Sequence, residues 1–355
     1  MTDHHLARQV RAIARRFAIE GELTDLALLR RGHIHGTWIS TFASGTTTRR
    51  YVHQLLNQGV FPDLEVLMSN VARVCDHLRD LADQGRADGL RPLELIATRD
   101  GATWLETPEA AWRTYRFVEG TVSRDKPASA LQARRAARAF GIFQRLLAEL
   151  PEDALQPTIP HFFDGLHRLE ALDRAIAADR LGRAGDSRPE IEFILERRPL
   201  FERFAAAIAD GRLPRRYVHG DTKLNNLLFD AKTGEPVCVV DLDTCMPAWS
   251  LFDYGDLVRF TAARSAEDEP DPSRAGIDSR IHHALTEGFC EGRGETLLPL
   301  ERAWMSDSAR LVTLILAARF LCDHLDGDRY FATSRPDHNL DRARVQIAQV
   351  ADLER

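Results

Sequence analysis

A chain of 355 residues, 44% hydrophobic and 28% charged, holds enough apolar material for one large core or two moderate ones, which excludes a minimal module. A formal net charge of −6 gives no general pull toward nucleic acid, and the arginines of Arg134–Arg138 are interleaved with alanine as on one helix face. A small-molecule partner is therefore expected, with no nucleic acid.

The first residues, with His4, His5, Arg8, Arg11, Arg15 and Arg16, lack the apolar stretch of a signal peptide. From Leu26 the pattern alternates short strands and turns: Leu26–Leu29, Thr37–Phe42 and Tyr51–Leu55, with Gly32–Gly36 and Ser44–Thr48 as turns. Leu67, Val71, Val74, Cys75 and Leu78 have helical spacing within Leu64–Leu78, and further strands are expected at Leu93–Thr98, Thr103–Glu106 and Trp112–Phe117. These short strands and one helix would make a first, β-rich lobe over residues 1–118.

Beyond Gly120 the texture becomes alanine- and arginine-rich, with Phe140, Phe143, Leu147 and Leu150 on one helical face, so residues 119–355 are expected to form a mostly helical lobe. Inside it lies a β island: Arg216–His219, Asn226–Asp230, a Thr233–Gly234 turn and Val237–Leu242. Strands set in a helical lobe suggest a displayed site. The acidic stretch Ala266–Asp271 reads as an exposed loop without chemistry. The apolar run Leu311–Leu321 is too short to span a bilayer and contains Arg319, so no membrane association is expected. The five cysteines, Cys75, Cys238, Cys245, Cys290 and Cys322, form no CxxC pair, which points away from disulfides and structural zinc and toward a reducing, cytoplasmic setting. A monomer or homodimer is expected.

The chemistry concentrates in Tyr217–Asp230 (YVHGDTKLNNLLFD) and Val239–Asp243 (VVDLD), which a hairpin would bring together. Moving the γ-phosphoryl of ATP needs hard oxygen ligands to hold Mg2+ against the phosphates and a carboxylate to take the acceptor hydroxyl's proton. On that logic Asp221 is the base and Asn226 and Asp241 hold the metal. Lys223 neutralises charge on the transferring phosphate and His219 braces the loop. Asp243, two residues past Asp241, would share its face by strand alternation and add a second metal contact. Against this, Asp and Asn are common turn residues that merely cap hairpins.

The pattern His-Gly-Asp-x-Lys-x-x-Asn-x-Leu-Phe-Asp followed by Val-Val-Asp resembles the catalytic and metal motifs of the aminoglycoside-phosphotransferase and choline-kinase superfamily. Asp221–Asn226, Val240–Thr244, Met246, Pro247 and Ser250–Asp256 (SLFDYGD) resemble its N-acetylhexosamine 1-kinase branch more closely, and so do segments from Arg319 to Arg344. The resemblance implies a bilobal α+β, protein-kinase-like fold. It also implies ATP- and Mg2+-dependent phosphorylation of the anomeric hydroxyl of an N-acetylhexosamine, giving a sugar 1-phosphate. Within it, Asp253 and Asp256 have a structural role, the first of them tying the catalytic loop down by hydrogen bonds. Gly32-His33-Ile-His-Gly36 resembles the loop over nucleotide phosphates, and Phe117, Val118 and Glu119 resemble the interlobe hinge that pairs with adenine.

One departure is plain: the third strand carries Gln54 where a phosphate-gripping lysine is expected, so Arg49 or Arg50 would have to substitute, or magnesium and backbone amides carry the load. Only three lysines, Lys126, Lys223 and Lys232, occur in the chain. On the acceptor side Arg319 sits in an apolar helical run and needs a partner or a cavity. It would bind sugar hydroxyls or the developing phosphate, or pair with Asp323, Asp253 or Asp256. Asp164, in Pro160–Gly165, is a further acceptor candidate. Another acceptor (an aminoglycoside, an amino alcohol or a different sugar) and a catalytically silent nucleotide-binding protein are the alternatives.

Overall fold

The structure is a computed structural model and describes residues 3–29 and 35–355. It begins with α1 (Asp3–Ala14), β1 (Glu22–Leu28), β2 (Gly36–Ser44), β3 (Thr47–Leu55), α2 (Leu64–Asp83), β4 (Leu105–Glu106) and β5 (Ala111–Arg116). The five strands form one antiparallel sheet in the order β1-β2-β3-β5-β4. Trp38, Phe42, Tyr51 and Trp112 alternate inward with Val10 and Phe17 to make a small core of their own. Leu93–Thr98 stays irregular, joined to the sheet by a single bridge between Leu95 and Tyr115.

The second part contains β6 (Thr121–Ser123), α3 (Ala130–Leu147), α4 (Gly165–Ala178), α5 (Arg188–Leu195), α6 (Arg198–Ala209), β7 (Arg215–Val218), β8 (Leu227–Asp230), β9 (Pro236–Val239), β10 (Met246–Trp249), α7 (Phe252–Thr261), α8 (Ser279–Arg293), α9 (Pro299–Ala303), α10 (Met305–Asp326) and α11 (His338–Leu353). The expected β island is two small antiparallel sheets, β6-β8-β9 and β10-β7. The pairing of β10 with β7 closes the chain around the segment from His219 to Cys245.

The larger core joins α3, α7, α8 and α10 to these strands and takes in α2, through Leu67, Val71 and Val74. Asn70 of α2 donates to the carbonyls of Gln156 (2.7 Å) and Cys245 (3.0 Å), so this helix is bonded across to the second part. Helix α10 buries residues on every side, which explains why its sequence shows no polar face. Helices α3 and α8 nearly touch: a Cβ on Gly288 would lie 2.0 Å from the Arg134 carbonyl oxygen, so only glycine fits. That contact holds α3 in place, and Phe140 and Phe143 on it pack against the ring of His219.

The stretch Ala266–Asp271 is tied down rather than free: Glu267 receives Arg259 (2.7 Å), and Asp268 pairs with His338 (3.0 Å). Acidic residues read as solvated serve here as partners for a buried arginine and a buried histidine. No helix among the described residues is long and apolar enough to cross a membrane.

Candidate active site

Between β7 and β8 the chain makes a tight loop that α7 clamps from beneath. The backbone N–H groups of His219 and Gly220 donate to the two carboxylate oxygens of Asp253 (2.9 and 2.8 Å), and that of Thr222 donates to Asp256 (3.0 Å). Gly220 has φ +81°, and a Cβ there would lie 2.7 Å from both the Thr244 carbonyl oxygen and the Phe163 ring, so the turn requires glycine. Burial pushes the Asp253 carboxyl up, against the two N–H donors that favour its charge. The Ser250–Asp256 tract thus acts on the loop backbone.

His219 is fully buried, with its ring edge-on to Phe140 and Phe143 (5.7 and 5.6 Å). Its Nδ1 accepts the Asp221 N–H (3.2 Å), which leaves Nε2 to donate to the Val240 carbonyl (3.0 Å). One imidazole therefore links the backbone of Asp221 to the residue preceding Asp241. It braces the loop and does not face reactants.

Asp221 keeps 22% of its side chain exposed and receives Lys223 Nζ at 2.9 Å and Asn226 Nδ2 at 3.0 Å. Burial raises its carboxyl, but Lys223 foremost, then His219 and Arg259, outweigh that and hold it below the usual carboxylate range. A charged carboxylate with an open face is what a proton acceptor needs.

Asp241 stands opposite in electrostatic character. It occupies the left-handed region (φ +63°), where β9 has ended at Val239 and a 3₁₀ turn, Leu242–Thr244, begins. Among the described residues its carboxylate has no hydrogen bond or ion pair. Burial, Asp243 and Asp221 push it up to about 6. A strained, unpaired carboxylate facing other carboxylates is poised for a cation. Asn226, whose Nδ2 is spent on Asp221, has its side-chain oxygen left to offer. This pair of hard oxygen donors fits magnesium, which takes few protein ligands and fills its shell with phosphates and water.

Asp243 behaves otherwise. Both its oxygens are engaged by the Arg113 guanidinium (Nη2 to Oδ2 2.9 Å), and His35 Nε2 lies 2.5 Å from Oδ2. Arg113 and His35 draw its carboxyl well below the carboxylate range in spite of burial. The expected second metal contact is thus corrected. Strand alternation does not extend past Val239, and the 3₁₀ turn aims this side chain at the β-rich part instead.

Arg113 is the residue that sequence reasoning missed. It is fully buried on β5, opposite Gln54 of β3 in register, and its Nε donates to Gln54 Oε1 (2.8 Å). Gln54 therefore orients a cation rather than gripping a phosphate alone. The signal was present as an arginine at an inward position of a strand reading Ala-Trp-Arg-Thr-Tyr-Arg. Arg50, a proposed lysine substitute, is occupied at the surface: it pairs with Glu119 (Nε to Oε1 3.0 Å) and lies 3.9 Å over the Phe117 ring. Phe117 N–H donates to the Arg50 carbonyl (3.0 Å), and Val118 accepts from Thr121 Oγ1 (2.7 Å). Gly36 opens β2, while Gly32 and His33 lie outside the described residues.

Arg319 makes none of the expected ion pairs. Its guanidinium lies among the rings of Phe331, Phe162 and Tyr330 at 5.3, 5.5 and 5.7 Å, and burial and the neighbouring Arg168 pull it down to about 10. Asp323 instead accepts the N–H groups of Arg329, Tyr330 and Phe331, each at 2.9 Å. Asp164 caps α4, its Oδ1 accepting the His167 N–H (3.0 Å). It borders a cleft of about 710 Å³ lined by Phe163, Phe204, Met246 and Trp249, but not by Asp221, Asn226 or Asp241.

The sequence profile of the Phosphotransferase enzyme family matches residues 32–287, most of the chain. The protein belongs to that family and is a phosphotransferase acting on hydroxyl acceptors. Its α+β architecture is the protein-kinase-like fold of these enzymes. A microcompartment-associated aminopropanol kinase superposes with a TM-score of 0.62 at 15% identity, over 98% of this chain and 96% of its own. An aminoglycoside phosphotransferase from Alicyclobacillus acidocaldarius gives 0.61 at 15%, over 97% and 95%. A spectinomycin phosphotransferase in complex with ADP and spectinomycin gives 0.54 at 13%, over 98% of each. At such identities the likeness is one of fold.

Proposed function

We propose that this phosphotransferase is an ATP- and Mg2+-dependent kinase of a sugar hydroxyl, with the anomeric hydroxyl of an N-acetylhexosamine such as N-acetylglucosamine or N-acetylgalactosamine as the first candidate. The observation that carries the kinase reading is the pairing of a charged, partly open Asp221 with an unpaired, left-handed Asp241 across one loop. The sugar reading rests on the motif resemblance and on the aromatic rings gathered around Arg319, which offer apolar faces to a sugar ring.

In this reading the acceptor hydroxyl approaches Asp221. Its oxygen forms a bond to the γ-phosphorus as the bond from that phosphorus to the β–γ bridging oxygen breaks. The hydroxyl proton passes to the Asp221 carboxylate, and ADP departs with the bridging oxygen. Lys223 fixes the Asp221 carboxylate and balances charge beside the transferring group. Asn226 and Asp241 would hold magnesium, which when bound supplies charge to the phosphate oxygens. Arg113 keeps the turn bearing Asp241 in place, and Phe117–Glu119 are the proposed adenine-side hinge, with residues 1–118 on the nucleotide side.

The test is magnesium-dependent ADP release across N-acetylhexosamines, free sugars, amino alcohols and aminoglycosides, with Asp221→Ala as the blank. Phosphate appearing on the anomeric oxygen of an N-acetylhexosamine is the expected result. Turnover confined to an amine acceptor would replace the sugar by that acceptor, and nucleotide binding without any turnover would make the chain a silent binding protein.

A further inference from the structure

Asp241 is presented by the turn Leu242–Thr244, and that turn is held from several sides. Asn70 of α2 donates to the Cys245 carbonyl (3.0 Å), the Thr158 hydroxyl donates to the Asp243 carbonyl (2.9 Å), and the Thr244 hydroxyl donates to the His219 carbonyl (2.8 Å). The last of these bonds joins the turn to the loop bearing Asp221, so a shift of the turn disturbs Asp221 and Asp241 together. The side chain of Asp243 is gripped from the β-rich part, by Arg113 of β5 and by His35, which precedes β2.

The two grips differ in kind. Arg113 meets both Asp243 oxygens and supplies the counter-charge that burial demands. His35 is held in one tautomer: its Nδ1 accepts the Asn57 N–H (3.1 Å), so Nε2 bears the hydrogen that it donates to Asp243 Oδ2 (2.5 Å). The imidazole is therefore a neutral donor, and it adds direction to a carboxylate whose charge is already balanced. Its ring stacks on Phe61, ahead of α2, with 5.8 Å between centroids and 25° between planes, and its side chain is only 5% exposed. The opening of β2, the end of β3 and the approach to α2 thus fix one ring atom, and that atom crosses to the second part.

We infer that His35 is a positioning residue for the metal carboxylate: through Asp243 it locks the turn that presents Asp241 to the β-rich part, so that nucleotide and Mg2+ each tighten the binding of the other. This rests on the kinase reading and deepens it, since residues 1–118 would carry the nucleotide and Asn226 and Asp241 the metal. Neither group needs the bond on its own, because the nucleotide would meet the β-rich part and the metal the second part. Joint occupancy requires the two parts in register, and the elements of the β-rich part converge on Asp243, two residues from Asp241. Coupling of this kind is reciprocal by thermodynamic necessity, so it can be read from nucleotide affinity alone.

The experiment titrates ADP into the full chain by calorimetry, once with saturating Mg2+ and once with EDTA, for the parent, His35→Phe and His35→Gln. Phenylalanine keeps a ring over Phe61 but donates nothing, whereas the glutamine amide nitrogen takes the place of Nε2. Contact between metal and phosphate is common to all of them, so the difference between variants reports the bond. In the parent Mg2+ should tighten ADP binding, and in His35→Phe that gain should shrink by about 10-fold, with metal-free affinity within about 3-fold of the parent. His35→Gln should restore most of the gain. KM for ATP at limiting Mg2+ should rise in His35→Phe while kcat at saturating Mg2+ holds. Should His35→Phe not fold, His35→Leu, which also lacks a donor, gives the same comparison with His35→Gln. Equal loss of ADP affinity with and without Mg2+ would mark a merely structural ring and overturn the coupling. A gain from Mg2+ that is unchanged in His35→Phe, or that His35→Gln does not recover, overturns it too, and each of these results leaves the kinase reading standing. A parent that binds no ADP in either buffer overturns both.

Discussion

Replacing Arg113 with methionine removes a guanidinium that is fully buried and serves both oxygens of Asp243 and the amide of Gln54, while keeping much of its volume. Breaking a buried pair from one side leaves the partner charge uncompensated, at a cost of about 3–5 kcal/mol. His35 still reaches Asp243, so the lower end, about 3 kcal/mol, is expected, or a melting temperature lower by roughly 6–12 °C at 2–4 °C per kcal/mol. The double variant Arg113→Met with Asp243→Leu removes both charges and should regain about half of that loss, a non-additivity above about 1 kcal/mol.

The sign with pH follows from the depressed Asp243 carboxyl. Its contribution is complete above the unfolded value of about 4 and is lost as pH falls through the lower folded value, so the gap between parent and Arg113→Met should narrow on acidification. Thermal melts from about pH 3 to pH 8, with KM for ATP measured on the folded variant, constitute the assay. Because the 3₁₀ turn carries Asp241 as well, KM should rise along with the loss of stability. An Arg113→Met protein as stable as the parent, or strictly additive effects in the double variant, would refute the reasoning.

Asp221→Asn should lower kcat by about 10²–10⁴-fold while leaving nucleotide affinity within a few-fold, checked by single-turnover rates and titration; an unaltered rate removes Asp221 from proton transfer. The raised Asp241 carboxyl predicts the opposite pH trend from Asp243: without metal, stability should decline as pH rises from about 4 to about 6, by at most about 3 kcal/mol, since the unfolded state releases its proton first. Asp241→Asn should abolish that slope and also the thermal upshift produced by magnesium at neutral pH. Gly220→Ala should be inactive and destabilised by at least about 1–2 kcal/mol, given its positive φ and the clash with Thr244; normal activity in a folded variant would contradict the tight loop.

Much of this was legible from residue order alone. The alternation in β2, β3 and β5 and the apolar faces of α2 and α3 follow from local periodicity, which each segment carries within itself. The segment from His219 to Asp230 announced the phosphotransferase family because Asp221, Lys223 and Asn226 fall within one short loop. The strand at Leu93–Thr98 failed because apolar, β-prone residues also serve as packing for irregular chain. The extra metal ligand at Asp243 failed because alternation holds only while the chain remains extended, and Asp241 has left that conformation.

What the sequence by itself determined is therefore the family motif around Asp221 and the change of texture from strand-rich to helix-rich segments, both properties of near neighbours. Tertiary structure alone decided which charges meet. It joined Arg113 and His35 to Asp243, fastened Glu267 to Arg259, and closed β10 on β7. The physical reason is that burial makes every charge demand a partner, and the partner is chosen by distance in space, which chain separation does not encode.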